Sequence, residues 1–408
     1  MRASPQRLPR RRWACRSEHR GSPGAAHFAG LVLGCGVVAA LHVGKAAIAT
    51  PLLQADLALS LGQAGWLTGI FAVLGVVGGA PAGALVAAVG DRRSLLVGLL
   101  TMAIAGAVGA LTDAYSVLLA SRLVEGLGFL LTIVAGPALL QRLTTGAQRD
   151  MAFSLWSCFM PCGMAIAMLV GPFFQTWASF WWASSALAAM AAVTTLYCVP
   201  GGGSHAGLAL RSMIGGIRQL LSSKGTVLLA CCFALYSLMF FALFSFLPVL
   251  LMERMNVTYQ TAGLLAALAS VINVSGNLAA GHLMAHGAGR TLLIAVASCL
   301  MGLSGIGIFL GLFPAMPTFL LCLFFSAIGG LIPATLLASA PLLAPHASLV
   351  PIAVGLIMQG SNLGQLVGPV AVGSATAAYG WSAAGAVVLI SATATCFIAA
   401  CLRPSFRQ

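Results

Sequence analysis

Two charged residues stand inside one long apolar segment of the sequence. Arg122 and Glu125 lie three positions apart within residues 116–140, and on an α-helix this spacing brings both side chains to one face, where they can pair. An ionised group in the hydrocarbon of a membrane is costly, so such groups usually face a cavity or one another and mark a functional site. We predict that Glu125 exchanges protons and that Arg122 contacts a ligand. A static ion pair that holds the helix in place is the alternative.

A lysine and a histidine form a second candidate pair. Lys45 follows His42 by about one helical turn in the first apolar segment, residues 27–53. A lysine that faces a cavity would accept a carboxylate or another anion, whereas one near the membrane surface would extend its amine to the lipid headgroups. His42 is placed either to relay a proton or only to make a hydrogen bond. Together with Arg122 and Glu125, Lys45 gives the apolar segments a net charge of +1, which favours an anionic ligand.

Uncharged polar side chains form a third set. Amides within a membrane need partners, which are either other helices or a bound molecule. We expect both roles in this set, with ligand contact predicted for the tyrosine and for three of the amides: Tyr236, Asn273, Gln359 and Asn362. The remaining members are Asn277 and Gln365.

The elements that carry these residues must be membrane helices. Of the 408 residues, 60% are hydrophobic and only 7% are charged, whereas soluble domains are about 25% charged. The net charge of +13 does not indicate nucleic-acid binding, because the basic residues lie in the tails and in alternate loops. The 11 cysteines are scattered without the spacing of a disulfide framework or a metal site. Nucleotide-binding and hydrolase motifs are absent, so we expect neither an enzyme nor a cofactor.

Twelve apolar segments are long enough to cross the ~30 Å hydrocarbon core, which takes about 20 residues of helix. With twelve spans, both termini lie on one side. The basic residues other than Lys45, Arg122 and Arg254 all lie in the tails or in the loops on that side, so both termini are predicted to be cytoplasmic. The segments are residues 27–53, 62–86, 94–112, 116–140, 151–173, 178–199, 225–251, 259–284, 291–312, 317–341, 351–375 and 381–402.

The short connection between the second and third segments carries a recognisable pattern. Residues 83–93, GALVAAVGDRR, predict a tight turn in which glycines allow the chain to reverse. The stretch resembles the loop between helices 2 and 3 of the major facilitator superfamily, roughly G-x-L-x-D-R-x-G-R-R. The acid of the family pattern falls at Ala87, and an aspartate stands instead beside the basic pair. The resemblance implies a charge contact that closes the cytoplasmic side, and the gate residues assigned from it are Gly83, Gly90, Asp91, Arg92 and Arg93.

Two further patterns extend the resemblance along the chain. Arg122 begins a match to the fourth-helix motif R-x-x-x-G-x-G of the family, whose arginine is associated with proton coupling or substrate binding. Gly171-Pro172 recurs as Gly368-Pro369 near the end of the eleventh segment, and Gly83-Ala-Leu recurs as Gly281-His-Leu. Such a repeat is typical of two six-helix halves joined by a cytoplasmic loop.

The expected fold is therefore an all-α integral membrane protein of twelve transmembrane helices in two six-helix pseudo-symmetric halves. Its predicted parts are a disordered basic cytoplasmic tail (1–26), an N-terminal half (27–199), a connector (200–224), a C-terminal half (225–402) and a short cytoplasmic tail (403–408).

The resemblance implies a secondary active transporter that works by alternating access, with helices 1, 4, 7 and 10 around a central cavity. Residues 123–174 also resemble the cyanate and nitroimidazole transporter group, through the glycines of helix 4, two arginines in the following link, and Trp156. We predict symport of protons with a small organic anion into the cell. Proton-coupled efflux of a drug or metabolite is the alternative, against which the partial antiporter motif at Gly163 and Gly171-Pro172 counts.

Loops too short for a soluble domain disfavour a membrane enzyme or a receptor. The expected partners are therefore a small anionic substrate, protons and the lipid bilayer. We expect a monomer in the inner membrane.

Overall fold

The computed structural model describes residues 23–201, 218–344 and 349–406. Every regular element within these ranges is a helix, as an all-α membrane protein requires, because only internally hydrogen-bonded segments are stable in lipid. Most of the predicted basic tail and of the connector lies outside the described residues. The first helix already begins at Pro23 and so includes the last four residues of that predicted tail.

The N-terminal helices form six spans, which we number in chain order. Span 2 (61–89) is interrupted by a 3-10 turn at Ile70–Ala72, and span 5 (146–173) is two helices that meet near Cys158. The helices are Pro23–Leu57 for span 1, Leu61–Gly69 and Val73–Val89 for span 2, Asp91–Ala110 for span 3, Tyr115–Leu143 for span 4, Gly146–Trp156 and Phe159–Val170 for span 5, and Trp177–Cys198 for span 6.

The remaining helices form spans 7 to 12. Span 7 (224–255) is broken at Ser245 and Phe246, and span 10 (315–343) is broken at Gly330. The helices are Lys224–Phe244 and Leu247–Met255 for span 7, Tyr259–Ala285 for span 8, Arg290–Phe309 for span 9, Ala315–Gly329 and Leu331–Leu343 for span 10, Val350–Tyr379 for span 11, and Trp381–Leu402 for span 12.

The helices fit the predicted membrane crossings. Ten helical segments of the described chain are long and apolar enough to cross a membrane. The two other predicted crossings are helical as well: span 5 contains the shorter apolar stretch Phe159–Phe173, and span 11 is a 30-residue helix that carries several amides. The all-α membrane fold predicted from the sequence is thus confirmed, while the exact bounds of the two halves stay a prediction.

The turn predicted over residues 83–93 is much shorter than expected. The helix of span 2 continues through Gly83 to Val89, and Asp91 already begins span 3. Only Gly90 leaves helical geometry, with φ 99° and ψ 144°, a conformation that a residue with a Cβ adopts at a steric cost. The sequence pattern therefore located the reversal correctly but assigned it too many residues.

Glycines set the distances between neighbouring spans. A Cβ on Gly44 of span 1 would lie 2.9 Å from the Cβ of Ala167 in span 5. Between the two groups of helices, span 2 packs on span 11 and span 5 packs on span 8; a Cβ on Gly79 would lie 2.8 Å from Gln359 Cγ. Small residues let membrane helices approach closely enough for dispersion forces to hold them together.

Contacts between the two groups of spans are found at the membrane side remote from the chain termini. Tyr259 Oη donates a hydrogen bond of 3.0 Å to the carbonyl of Ile48, and Gly65 packs directly on the Pro369 carbonyl. On the side of the termini Gly34 and Gly281 are exposed, and a Cβ on Gly34, Gly83 or Gly281 would meet no atom of the described residues within 4 Å. The two groups of helices are therefore in direct contact across the remote side.

Candidate functional site

Four ionisable residues of spans 1 and 4 meet in one buried cluster. Lys45 Nζ lies 2.8 Å from Glu125 Oε1, and Arg122 Nη1 donates to Glu125 Oε2. His42 Nδ1 lies 3.4 Å from the same Oε2 atom. All four residues are 0% exposed. The two pairs proposed separately from the sequence are thus one constellation, which we call the charge cluster (His42, Lys45, Arg122 and Glu125).

Arg122 joins three spans through its guanidinium. Nε donates to the Leu67 carbonyl of span 2 at 3.2 Å, and Nη1 donates to the His42 carbonyl of span 1 at 2.9 Å. The guanidinium carbon lies 4.5 Å from the ring centroid of Phe71, within the range of a cation–π contact. Nη2 has no hydrogen-bond partner among the described residues. The arginine therefore links three spans and also keeps one buried nitrogen, Nη2, whose hydrogens can be donated to another group.

Lys45 is anchored away from the membrane surface. Its amine also lies 3.3 Å from Ser184 Oγ and 3.3 Å from His42 Nδ1, and it sits 4.7 Å from the ring centroid of Trp181. His42 Nε2 lies 3.1 Å from the Ser184 carbonyl; because a carbonyl only accepts, Nε2 carries the hydrogen and Nδ1 faces the cluster. The interpretation of Lys45 as a residue that extends to the headgroups is therefore wrong.

Glycines of span 3 make room for the cluster. A Cβ on Gly106 would overlap Ser185 Oγ and would lie 3.2 Å from Glu125 Oε1 and 3.4 Å from Lys45 Nζ. One helical turn further, a Cβ on Gly109 would lie 2.7 Å from Ser121 Oγ. A larger side chain at Gly106 would therefore press on Ser185 and on the ion pair.

The local sequence explains how span 4 holds its charges at this depth. The helix is long and apolar, and its i,i+3 spacing places Arg122 and Glu125 together. Gly126 then packs on the Phe71 carbonyl of span 2 and Gly128 on the Gly98 carbonyl of span 3. The two glycines of the R-x-x-x-G-x-G pattern thus let the backbones of spans 2 and 3 pack against span 4 directly after Glu125.

The charge cluster carries one anion against two cations. Glu125 is the one carboxylate in contact with Lys45 and Arg122 among the described residues, and His42 held through Nδ1 beside an ammonium is neutral. The buried net charge is therefore +1. Removing one member of a buried ion pair leaves an uncompensated charge and costs about 3–5 kcal/mol, so the protonation of any member alters the stability of the whole cluster.

The other predicted ligand residues lie apart from the cluster. Tyr236 is buried in span 7 between the rings of Phe233 and Phe240, and Asn273 Nδ2 of span 8 donates to the Ser326 carbonyl of span 10 at 2.9 Å. Gln359 Nε2 donates to the Val76 carbonyl of span 2 at 3.2 Å. Asn362 Nδ2 bonds within its own helix, while its side chain lies against Gly75. These amides make contacts between and within helices, which is one of the two roles expected of them.

The gate residues assigned from the loop pattern make contacts within the N-terminal helices. Asp91 pairs with Arg142 at the end of span 4, through Nε at 2.6 Å and Nη2 at 3.2 Å. Arg92 donates to the Leu196 carbonyl of span 6, and Arg93 is exposed. Asp91 therefore ties the start of span 3 to the end of span 4.

Span 6 supplies the partners that the sequence did not reveal. Trp181, Ser184 and Ser185 surround the amine of Lys45 and the nearby glycine of span 3. Nothing in their local sequence distinguishes them from other residues of an apolar helix. Their role appears only when spans 1, 3, 4 and 6 are packed together.

A multi-pass helical membrane protein with an ion cluster buried in its first and fourth helices has the architecture of a membrane transporter. The family model of the Major Facilitator Superfamily matches residues 32–347, and the chain belongs to that family.

Similar proteins agree with this assignment. A "Chloramphenicol resistance protein" of Streptomyces lividans is 30% identical over 262 residues, 62% of this chain and 65% of the relative. The match thus spans less than two thirds of that relative. A bacterial homologue of the human lysosomal transporter Spinster, solved in an inward-facing and occupied conformation, superposes with a TM-score of 0.75 at 15% identity, covering 95% of this chain and 97% of the other. Its inward-facing, unoccupied structure superposes with a TM-score of 0.69. These two structures support the fold alone.

Proposed function

We propose that this transporter is a proton-coupled antiporter that exports a small, uncharged, aromatic compound. The observation that carries the proton coupling is the charge cluster itself. A carboxylate, a lysine and a histidine lie within hydrogen-bond reach of one another and are fully shielded from solvent. Buried ionisable groups are expensive in a membrane and persist where a proton or a substrate is moved.

The direction and the substrate class are inferred from two further observations. The Streptomyces relative is a chloramphenicol resistance protein by name, and resistance of this kind is consistent with export. Span 7, one of the spans that the family resemblance places around the central cavity, carries an aromatic stripe in which Tyr236 and Phe240 lie 6.0 Å apart and Phe240 and Phe244 stack at 4.2 Å. Stacked rings favour an aromatic ligand.

Uptake of a small organic anion with protons is the second candidate. The net charge of +1 and the unpartnered Nη2 of Arg122 favour it, because a carboxylate would satisfy both. Against it, Lys45 is already paired with Glu125 at 2.8 Å. The expected anion site at Lys45 is therefore occupied by a side chain of the protein.

The remaining assignments are proposals of the same kind. We infer a monomer in the inner membrane, with both termini in the cytoplasm and protons as the coupling ion. Under this orientation the side that the contacts of Tyr259 and Gly65 close faces away from the cytoplasm, as expected of an exporter that loads its substrate from the cytoplasm.

Purified protein in liposomes tests the proposal. We impose a pH gradient whose acidic side is the side to which the substrate should be exported. This gradient should drive radiolabelled chloramphenicol in the direction opposite to protons. Benzoate serves as the anionic probe in the same vesicles. If benzoate moves together with protons and chloramphenicol does not move, the second candidate function is supported and export is contradicted. If either probe is transported at a rate independent of the gradient, proton coupling is contradicted.

A further inference from the structure

We propose that Lys45 is the group of the charge cluster that takes up and releases a proton, while Glu125 and Arg122 remain a fixed ion pair. The chemical claim concerns the cluster alone; its part in transport rests on the proton coupling proposed above. A lysine amine would then do the work that the sequence assigns to the carboxylate.

The hydrogen bonds of Glu125 are the first ground. Both of its oxygens already accept from cations, Oε1 from Lys45 at 2.8 Å and Oε2 from Arg122. A proton added to either oxygen would break one of these bonds. It would also leave two buried cations without an anion, which is the most costly arrangement available to the cluster.

The charge balance is the second ground. Arg122 cannot lose its proton under ordinary conditions, so it needs Glu125 as a carboxylate. Lys45 has no such restriction, since a lysine in a protein interior gives up its charge readily. Loss of one proton from Lys45 lowers the buried charge from +1 to zero and leaves the Arg122–Glu125 pair intact.

The surroundings of Lys45 can hold both forms of the amine. From span 1 it faces His42, from span 4 Arg122 and Glu125, from span 6 Ser184 and Trp181, and from span 3 the uncharged Gly106; these are the charged and polar neighbours in the described chain. The ammonium donates to Glu125, His42 and Ser184. The neutral amine keeps two hydrogens. The Ser184 hydroxyl, which donates to the Trp181 carbonyl at 2.9 Å while Lys45 is charged, can turn and donate to the lone pair of the neutral amine instead.

One face of span 1 runs from the amine towards the side of the termini. Gly34 lies eleven residues before Lys45, which is close to three turns at 3.6 residues per turn, so both share a face. Gly34 is exposed, and a Cβ there would meet no atom within 4 Å. Val38 and Leu41 lie between them on this face. When water reaches Lys45 along it, an N–H bond of the ammonium breaks and the proton passes to water as hydronium.

Trp181 is a reporter already in place. The ammonium lies 4.7 Å from its ring centroid, so the charge of Lys45 perturbs the indole and its fluorescence. The experiment uses the full-length protein with six of its seven tryptophans replaced by phenylalanine, so that Trp181 alone emits. Its emission is titrated over roughly pH 5 to 11.5, a range that brackets the ordinary pKa values of histidine and lysine.

We expect a single transition in the parent protein and its loss in both Lys45→Arg, which stays charged, and Lys45→Met, which is never charged. Lys224→Arg is the matched control, since Lys224 is the only other lysine of the chain, and it should leave the transition unchanged. His42→Ala should retain the transition, although its midpoint can shift. If the reduced-tryptophan protein does not fold, the same comparison is made in the natural sequence with Trp181→Phe as the blank.

Two results would overturn the assignment. A transition that survives in Lys45→Arg but disappears in His42→Ala would place the proton on His42, and the absence of any transition in the parent would show that Lys45 does not titrate. Transport is scored separately in liposomes with chloramphenicol. If the parent protein ignores the pH gradient, the proposed function fails while the fluorescence result still decides where the proton binds; if Lys45→Arg alone still responds to the gradient, the proton on Lys45 is not the coupled one.

Discussion

Three charged side chains share one site that is shielded from water. Glu125 lies between Lys45 and Arg122, and each of these residues is fully buried. The charged form of each side chain is stabilised only by the other two, because none of the three reaches water. The residues that shape the space around them are therefore as important as the charges themselves, and Gly106 is the clearest case.

Replacing Gly106 with alanine tests this dependence. The new Cβ would overlap Ser185 Oγ and press on the Lys45–Glu125 pair, so we expect a loss of about 1–3 kcal/mol in the free energy of unfolding, as is usual for overpacking. The measurement is thermal unfolding of the purified protein in detergent. Gly281→Ala is the control, since a Cβ there meets no atom within 4 Å. Equal melting temperatures for the two variants would show that the site has more room than its geometry implies.

At the scale of elements, short connections fix which helices can support the cluster. Gly90 reverses the chain within one residue, and span 3 then packs mainly on spans 4 and 6. Asp91 then receives two hydrogen bonds from Arg142, and this pair locks the start of span 3 to the end of span 4. The same two spans carry Gly106 and Glu125, so a shift of one against the other would reach the charge cluster.

Asp91→Asn should loosen this tie without removing the turn. The amide keeps the shape of the side chain but loses the charge that Arg142 pairs with, at a cost of about 1 kcal/mol because the pair is partly exposed. We expect a modest fall in melting temperature and a slower transport rate at unchanged substrate affinity. Asp113→Asn is the matched control, because Asp113 lies exposed in the loop before span 4. A full transport rate in Asp91→Asn would mean that the contact has no part in the transport cycle.

Sequence reasoning found the candidates but not their arrangement. The spacing of Arg122 and Glu125 predicts their pairing because it is local, and the helical periods and glycine patterns predict the fold. The contact of Lys45 with Glu125 joins residues 80 positions apart, and no local period encodes such a distance. Span 6 was missed for the same reason: Ser184 and Trp181 acquire a role only from the helices packed against them. In span 11, conversely, Gln359 and Asn362 have the spacing of a ligand site but bond to helix backbones.

At the scale of the whole molecule, the helices are closed at the side remote from the termini. Two contacts lie on that side: Tyr259 donates a hydrogen bond to the Ile48 carbonyl, and Gly65 packs on the Pro369 carbonyl. An alternating-access cycle requires these contacts to break when the opposite side closes. The glycines of spans 2 and 11 allow such rocking, because smooth helix surfaces can separate and meet again without repacking side chains.

The direction of this opening in the membrane is tested by labelling single cysteines in a background without the 11 native ones. We expect Asn256→Cys, beyond span 7, to react with an impermeant thiol reagent in intact cells, and Ser222→Cys, before the same span, to react only after the cells are opened. The expectation follows from the basic residues, which concentrate on the side of the termini. Reaction of Ser222→Cys in intact cells would show that the protein has the opposite orientation, and the proposed export would then be uptake.

Glu125→Gln tests the central claim, that the buried charge cluster couples protons to transport. Glutamine keeps the shape of the side chain but removes the anion that holds Lys45 and Arg122 together. The uncompensated charge of Arg122 then keeps Lys45 neutral, so the amine can no longer alternate between its two charge states. In liposomes, the variant should lose accumulation of chloramphenicol driven by a pH gradient, yet still exchange labelled for unlabelled compound across the membrane. Glu253→Gln, at the exposed end of span 7, should behave like the parent. A Glu125→Gln protein that still concentrates the compound in response to the gradient would contradict the account, because the cluster would then be only a structural ion pair.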